Sequence, residues 1–178
     1  MKKITFLAML FIAVSATGFA QKGSAQMIVA AEAGIPVGDF ADLSAFGMGG
    51  SVKVLLGVSP NGAFTLTSGA LFFGGKKEVE EILGNTTMTI IPFLAGYRHN
   101  FNGFYLEPQA GYGIYRTMIQ SFPSDSESAF TWAMGMGYAI KAFDVCARFQ
   151  SGMKNGASTN MIAVRIGYNF SLKGGNKK

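Results

Sequence analysis

From Gln26 to Leu172 large apolar side chains recur at every second position, in eight runs broken by turn chemistry. The runs cover 26–35, 47–58, 63–73, 87–99, 104–116, 129–140, 143–153 and 159–172. Between them stand Pro36-Val37-Gly38-Asp39, Ser59-Pro60-Asn61-Gly62, Asn100-Phe101-Asn102-Gly103, Lys141-Ala142 and Lys154-Asn155-Gly156, with longer polar stretches at 74–86 and 117–128. A period of two predicts β-strands, and runs of about ten residues are the length a tilted strand needs to cross a bilayer. The links after the first, third, fifth and seventh strands read as the longer ones. Those after the second, fourth and sixth are short. With both termini on one side, that alternation gives short turns at one end and long loops at the other, the asymmetry of an outer-membrane barrel. The expected fold is all-β: an eight-stranded antiparallel up-and-down transmembrane β-barrel.

The two faces of the later strands differ in kind. In the fifth, Phe104, Leu106, Ala110, Tyr112 and Ile114 oppose Tyr105, Glu107, Gln109, Gly111 and Gly113. In the sixth, Phe130, Trp132, Met134, Met136, Tyr138 and Ile140 oppose Thr131, Ala133, Gly135, Gly137 and Ala139. The seventh opposes Phe143, Val145, Ala147 and Phe149 to Asp144, Cys146, Arg148 and Gln150, and the eighth opposes Ile162, Val164, Ile166, Tyr168 and Phe170 to Ala163, Arg165, Gly167 and Asn169. Alternation alone fits either a membrane barrel or a soluble one turned inside out. The glycine and alanine on the polar face suit a crowded interior better than a solvated surface. The third and fourth strands carry apolar residues on both faces, so their register stays open. Aromatics near strand ends are expected to form two interfacial girdles: Tyr97, Phe101, Phe104, Tyr168 and Phe170 at one rim, Phe46, Phe72, Phe73 and Phe130 at the other.

The N-terminus adds an export signal. Met1, Lys2 and Lys3 precede an apolar stretch from Ile4 to Val14, and Gly18-Phe19-Ala20 supplies small residues for cleavage before Gln21. This predicts a signal peptide over 1–20 and a mature barrel domain over 21–178, ending in a short polar tail, 171–178. Loss of Lys2 and Lys3 lowers the formal net charge from +5 to about +3, too mild to argue for nucleic acid. The one cysteine, Cys146, excludes an internal disulfide, and no cysteine stands just after the cleavage point as a lipoprotein would require. After the leader no apolar run is long enough for a membrane-spanning helix.

The opening Ala30-Ala31-Glu32-Ala33-Gly34, the steps Gly96-Tyr97-Arg98 and Gly111-Tyr112-Gly113, and the closing Arg165-Ile166-Gly167-Tyr168-Asn169-Phe170 carry a family likeness. Together with the leader, they make the chain resemble the porin-like outer-membrane β-barrel family of Gram-negative bacteria, a group similar to the OmpA membrane domain, OmpX and OmpW. The resemblance spans the whole mature chain and rests on the order of its elements. It implies an outer-membrane location, surrounding outer-membrane lipid, and a C-terminal aromatic signal, here Tyr168 and Phe170, read by the barrel-insertion machinery. Many members stop at the final aromatic, whereas this chain continues to Lys178.

Candidate chemistry is sparse. His99 lies beside the Asn100–Gly103 turn with no serine nearby in sequence, a poor start for a serine-histidine lipid A-modifying enzyme. One histidine and one cysteine make a poor metal shell, and the glycine strings lack the strand–helix setting of a nucleotide loop. No catalytic, cofactor or metal residues are expected. The informative charges are Glu32, Lys53, Glu107, Arg148 and Arg165, all at mid-strand positions on the predicted lumen face. Facing lipid, an Arg or Lys there would cost about 2–4 kcal/mol, so they are expected to point inward and to pair as a structural polar network. Three functions remain open. The leading one is a structural or surface-interaction barrel with a closed lumen, its outer loops (36–46, 74–86, 117–128) touching extracellular or envelope partners. The others are a narrow channel for small or hydrophobic solutes, as the OmpW resemblance suggests, and, least favoured, a lipid-modifying enzyme.

Overall fold

The computed structural model describes residues 24–78, 81, 84–119 and 125–172. The expected signal peptide, and all of the polar tail beyond Leu172, lie outside the described residues. Eight antiparallel strands form one closed barrel in sequence order. They are β1 (Ala25–Val37), β2 (Ser44–Ser59), β3 (Gly62–Gly75), β4 (Thr86–Phe101), β5 (Phe104–Ile119), β6 (Asp125–Ile140), β7 (Phe143–Lys154) and β8 (Ala157–Ser171), with a short helix α1 (Asp39–Leu43) between β1 and β2. The seam between β1 and β8 runs from Gln26↔Ser171 to Val37↔Asn160. Closure leaves no unpaired edge, as the bilayer interior requires.

The structure corrects three expectations. The link after the seventh strand is not a longer loop: β7 and β8 are joined by Asn155-Gly156 alone, both with positive φ, the signature of a type I′ hairpin. The long connections are therefore the first three at that end. The 117–128 stretch is also not all loop, because β5 and β6 stay paired up to Thr117↔Asp125. Antiparallel pairing satisfies the backbone whatever the side chains are, so the hairpin continues into the polar sequence. Finally, Phe73 is no girdle residue. It points into the barrel and is fully buried.

Outside, the alternation holds on every strand. Met48, Phe64, Phe93, Tyr112, Met136 and Ile166 are among many large apolar side chains more than half exposed. Among the described strand residues, no Lys, Arg, Asp or Glu is exposed between the aromatic rims. Water would not tolerate so broad an apolar surface, and lipid requires it. At the turn end the rings meet in a ladder: Phe64–Tyr97 at 5.8 Å, His99–Phe101 at 4.6 Å, Phe143–Tyr168 at 5.6 Å and Tyr168–Phe170 at 4.8 Å. At the loop end Phe46 and Phe72 are exposed, and Tyr112 meets Phe130 at 6.4 Å. Rings with polar tips favour headgroup depth, and the two rims bracket the apolar belt.

Candidate functional site: the lumen and its outer mouth

Eight strands leave an interior that side chains can fill, and here they fill it in three storeys. At the turn end Ile28, Ala30, Leu55 and Ala63 form a small apolar cluster. The middle storey is ionic. The structure places Glu32, Lys53, Glu107, Arg148 and Arg165 on the inward face, each at most 4 % exposed. Arg148 Nη2 donates to Glu32 Oε2 at 2.9 Å, and Ser51 Oγ donates to Glu32 Oε1 at 2.6 Å. Lys53 Nζ donates to Glu107 Oε1.

Two ionic residues outside the predicted set complete the storey. Arg98 on β4 donates from Nε to Glu107 Oε2 at 2.9 Å and from Nη1 to Asp144 Oδ2 at 2.8 Å. Asp144 on β7 also accepts from Arg165 Nη2 at 3.1 Å and from the Tyr105 hydroxyl at 2.8 Å. The Arg98 guanidinium lies 3.6 Å above the Tyr105 ring centre, a cation–π contact in a dry setting. Lys53 and Arg98 thus share Glu107, while Arg98 and Arg165 share Asp144. Arg98 alternates with the outward Tyr97 and His99, so strand parity could have found it. Asp144 lies two residues past the Lys141-Ala142 turn, and the long arms of Arg98 and Arg165 reach it there.

The third storey, toward the loop end, is apolar: Phe40, Leu71, Phe73, Ile90, Tyr115, Ala129 and Met161 pack together with Met88 against them. Phe40 comes from α1, in a stretch read from sequence as open loop. Its ring meets Phe73 edge-on at 5.1 Å. Bare backbone makes room for the Phe73 ring, since a Cβ at Gly47 would run into it and one at Gly34 would come within 3.0 Å of Cζ. Leu71, Phe73, Ile90 and Leu94 are inward apolar residues, which is why the third and fourth strands looked two-faced. Phe73→Ala should cost about 3–5 kcal/mol by leaving a ring-sized void under Phe40. A lowered urea midpoint in lipid vesicles, with the barrel still inserted, would show it.

Above this storey lies a vestibule of about 300 Å³, with Tyr115, Met88 and Ala129 toward its base and Asp125, Glu127 and Lys154 around it. His99 is far from it, at the turn end, with its ring between Tyr97 and Phe101. Among the described residues no group of three or more His, Cys, Asp or Glu side chains is placed to hold a metal.

With apolar residues outward and charge enclosed, the molecule can be set beside known structures. The crystal structure of Ail, the attachment invasion locus protein of Yersinia pestis, matches at a TM-score of 0.64 and 16 % identity, covering 84 % of this chain and 100 % of Ail. Neisserial surface protein A matches at 0.57 and 11 % identity over 83 % of this chain and 97 % of its own. The N-terminal β-barrel domain of Pseudomonas aeruginosa OprF matches at 0.51 and 16 % identity over 84 % and 100 %. This is the fold of the small outer-membrane barrels. At such identities the likeness concerns the fold alone. No family model and no curated sequence matches the chain. The outer-membrane type of barrel agrees with the lipid-facing belt and with the loop and turn ends described above.

Proposed function

We propose that the protein is a sealed outer-membrane barrel whose role is structural or surface-interactive, exercised through its outer mouth rather than through a pore. The observation that carries this reading is the double filling of the lumen. A storey of paired ions blocks the middle, and the Phe40–Phe73 storey blocks the route from the loops. Passage of a solute would require both to part, and separating a buried ion pair without replacement partners costs about 3–5 kcal/mol.

The outer mouth carries the recognition. Loop and strand-end positions there hold Lys76, Lys77, Arg116 and Lys154 against Asp39, Asp42, Glu78, Glu81, Asp125 and Glu127. One Ail structure holds sucrose octasulfate, a heparin analogue. The carboxylate excess here disfavours so sulfated a ligand and favours a cationic one. Outer-membrane lipid is the partner of the belt. Tyr168 and Phe170, outward on β8 with their rings in tilted contact, serve as the aromatic signal to the barrel-insertion machinery. His99, its ring packed between Tyr97 and Phe101 in the turn-end aromatic rim, is not placed as a catalytic base, so the role is read as non-enzymatic.

Planar-bilayer recording of the refolded protein tests the sealed lumen. Electrical silence is expected, whereas reproducible unitary steps would replace this reading with a narrow channel. Replacing 38–43 or 76–85 by short linkers should preserve the heat-shifted gel band, because both segments lie between strands and neither supplies the pairing that closes the barrel.

A further inference from the structure

The vestibule has the chemistry of a specific pocket. Its volume, about 300 Å³, suits a small molecule and lies at the lower end of ligand cavities. Alternation fixes the direction of its wall residues. On β6, Asp125 and Glu127 share the inward parity of Ala129 and Thr131, and on β5 Thr117 continues the row of Gly113 and Tyr115. The side chains that face the lumen lower down therefore face the cavity here, above the apolar storey.

The base is constructed. The Tyr115 hydroxyl lies 3.0 Å from Thr131 Oγ1, and its ring occupies space that a Cβ on Gly113 or Gly152 would invade. Two glycines, Gly113 on β5 and Gly152 on β7, thus let an aromatic ring lie across the base of the cavity, where it is buried. Around it Glu127 is matched by Lys154 at 3.0 Å. Asp125 accepts from the Ser126 backbone N–H at 2.8 Å and has no ion-pair partner among the described residues. An aromatic base beneath a carboxylate that has no ion-pair partner among the described residues favours a cation over a neutral body of the same shape.

We propose that this vestibule binds a small organic cation, an ammonium group carried on an apolar body. The ammonium pairs with Asp125, and the body rests on Tyr115, Met88 and Ala129. The lumen beneath refuses the same ligand. Its buried set holds four cations, Lys53, Arg98, Arg148 and Arg165, against three carboxylates, so a cation bound at the mouth meets an opposing field below it. The site rests on the sealed-barrel reading in one respect: a closed lumen gives the cavity its floor.

The test uses the full mature barrel in maltoside micelles, whose neutral heads do not compete, titrated with 2-phenylethylamine and followed by backbone NMR. Saturable shifts at Tyr115, Ala129 and Gly152 are expected. The neutral 2-phenylethanol should bind at least tenfold more weakly, and phenylacetate should not bind. Asp125→Asn should weaken the amine about tenfold, and Thr117→Phe, which fills the cavity, should abolish binding while the heat-shifted band persists. Equal binding of amine and alcohol, or an affinity untouched by Asp125→Asn, overturns the proposal, as does the lack of any saturable shift. Recording the same preparation in a planar bilayer separates the two readings. Conductance with amine binding removes the seal and keeps the pocket, and silence without binding keeps the seal and removes the pocket.

Discussion

Asp144→Ala is expected to destabilise the barrel by about 3–5 kcal/mol, the cost of stranding buried charge. The carboxylate accepts from Arg98, Arg165 and Tyr105 at once, in a space where none of the four groups is appreciably exposed. Alanine would leave two guanidinium groups facing each other without their shared anion. Unfolding in urea from lipid vesicles, followed by loss of the slow-unfolding gel band, reads the change. Because the penalty comes from unmatched cations, adding Arg98→Met to Asp144→Ala should restore part of it. Tyr105→Phe alone, which deletes one hydrogen bond, should cost only about 1 kcal/mol. Equal losses for Tyr105→Phe and Asp144→Ala would mean that packing rather than charge dominates the middle storey.

The second large effect concerns the other face. Met134 lies on β6 midway between the rims, outward and 45 % exposed. Met134→Arg should cost about 2–4 kcal/mol in a bilayer, the depth-dependent penalty for a cation at the midplane. The same substitution at Ser126, also outward on β6 but beyond Phe130, should cost close to nothing. A steep gradient between the two positions is the signature of lipid. A flat response at both would place water around the barrel and reverse the assignment of its faces.

The alternation was plainest where each face has one job. On β5, β6, β7 and β8 the outward row is large and apolar, and the inward row is small, polar or charged over most of its length. On β3 and β4 the inward row itself carries Leu71, Phe73, Ile90 and Leu94, so local sequence held no contrast between lipid and lumen, and only closure of the ladder resolves which is which. Phe73 misled for the same reason: an aromatic beside Phe72 near a strand end suits a girdle until the parity of the strand is known. Phe40 was invisible because α1 is five residues long, too short for a helical period. A lone aromatic between Asp39 and Asp42 was its one signal. In the ionic storey, the five mid-strand charges were legible from position. Only part of their pairing lies within the five, Arg148 with Glu32 and Lys53 with Glu107; Arg165 pairs instead with Asp144, which Arg98 joins to Glu107 from near the turn end.

The seam between β1 and β8 has a consequence for assembly. Seven of the eight ladders join strands adjacent in sequence and can zip as hairpins, each loop closing locally. The eighth joins Gln26 on the first strand to Ser171 on the last, and cannot begin until β8 has arrived. A nascent or truncated chain lacking β8 is an open sheet with two raw edges and its ion pairs exposed. Pairing of β8 with β1 removes both edges at once, so the last ladder turns an open sheet into a closed one in a single step.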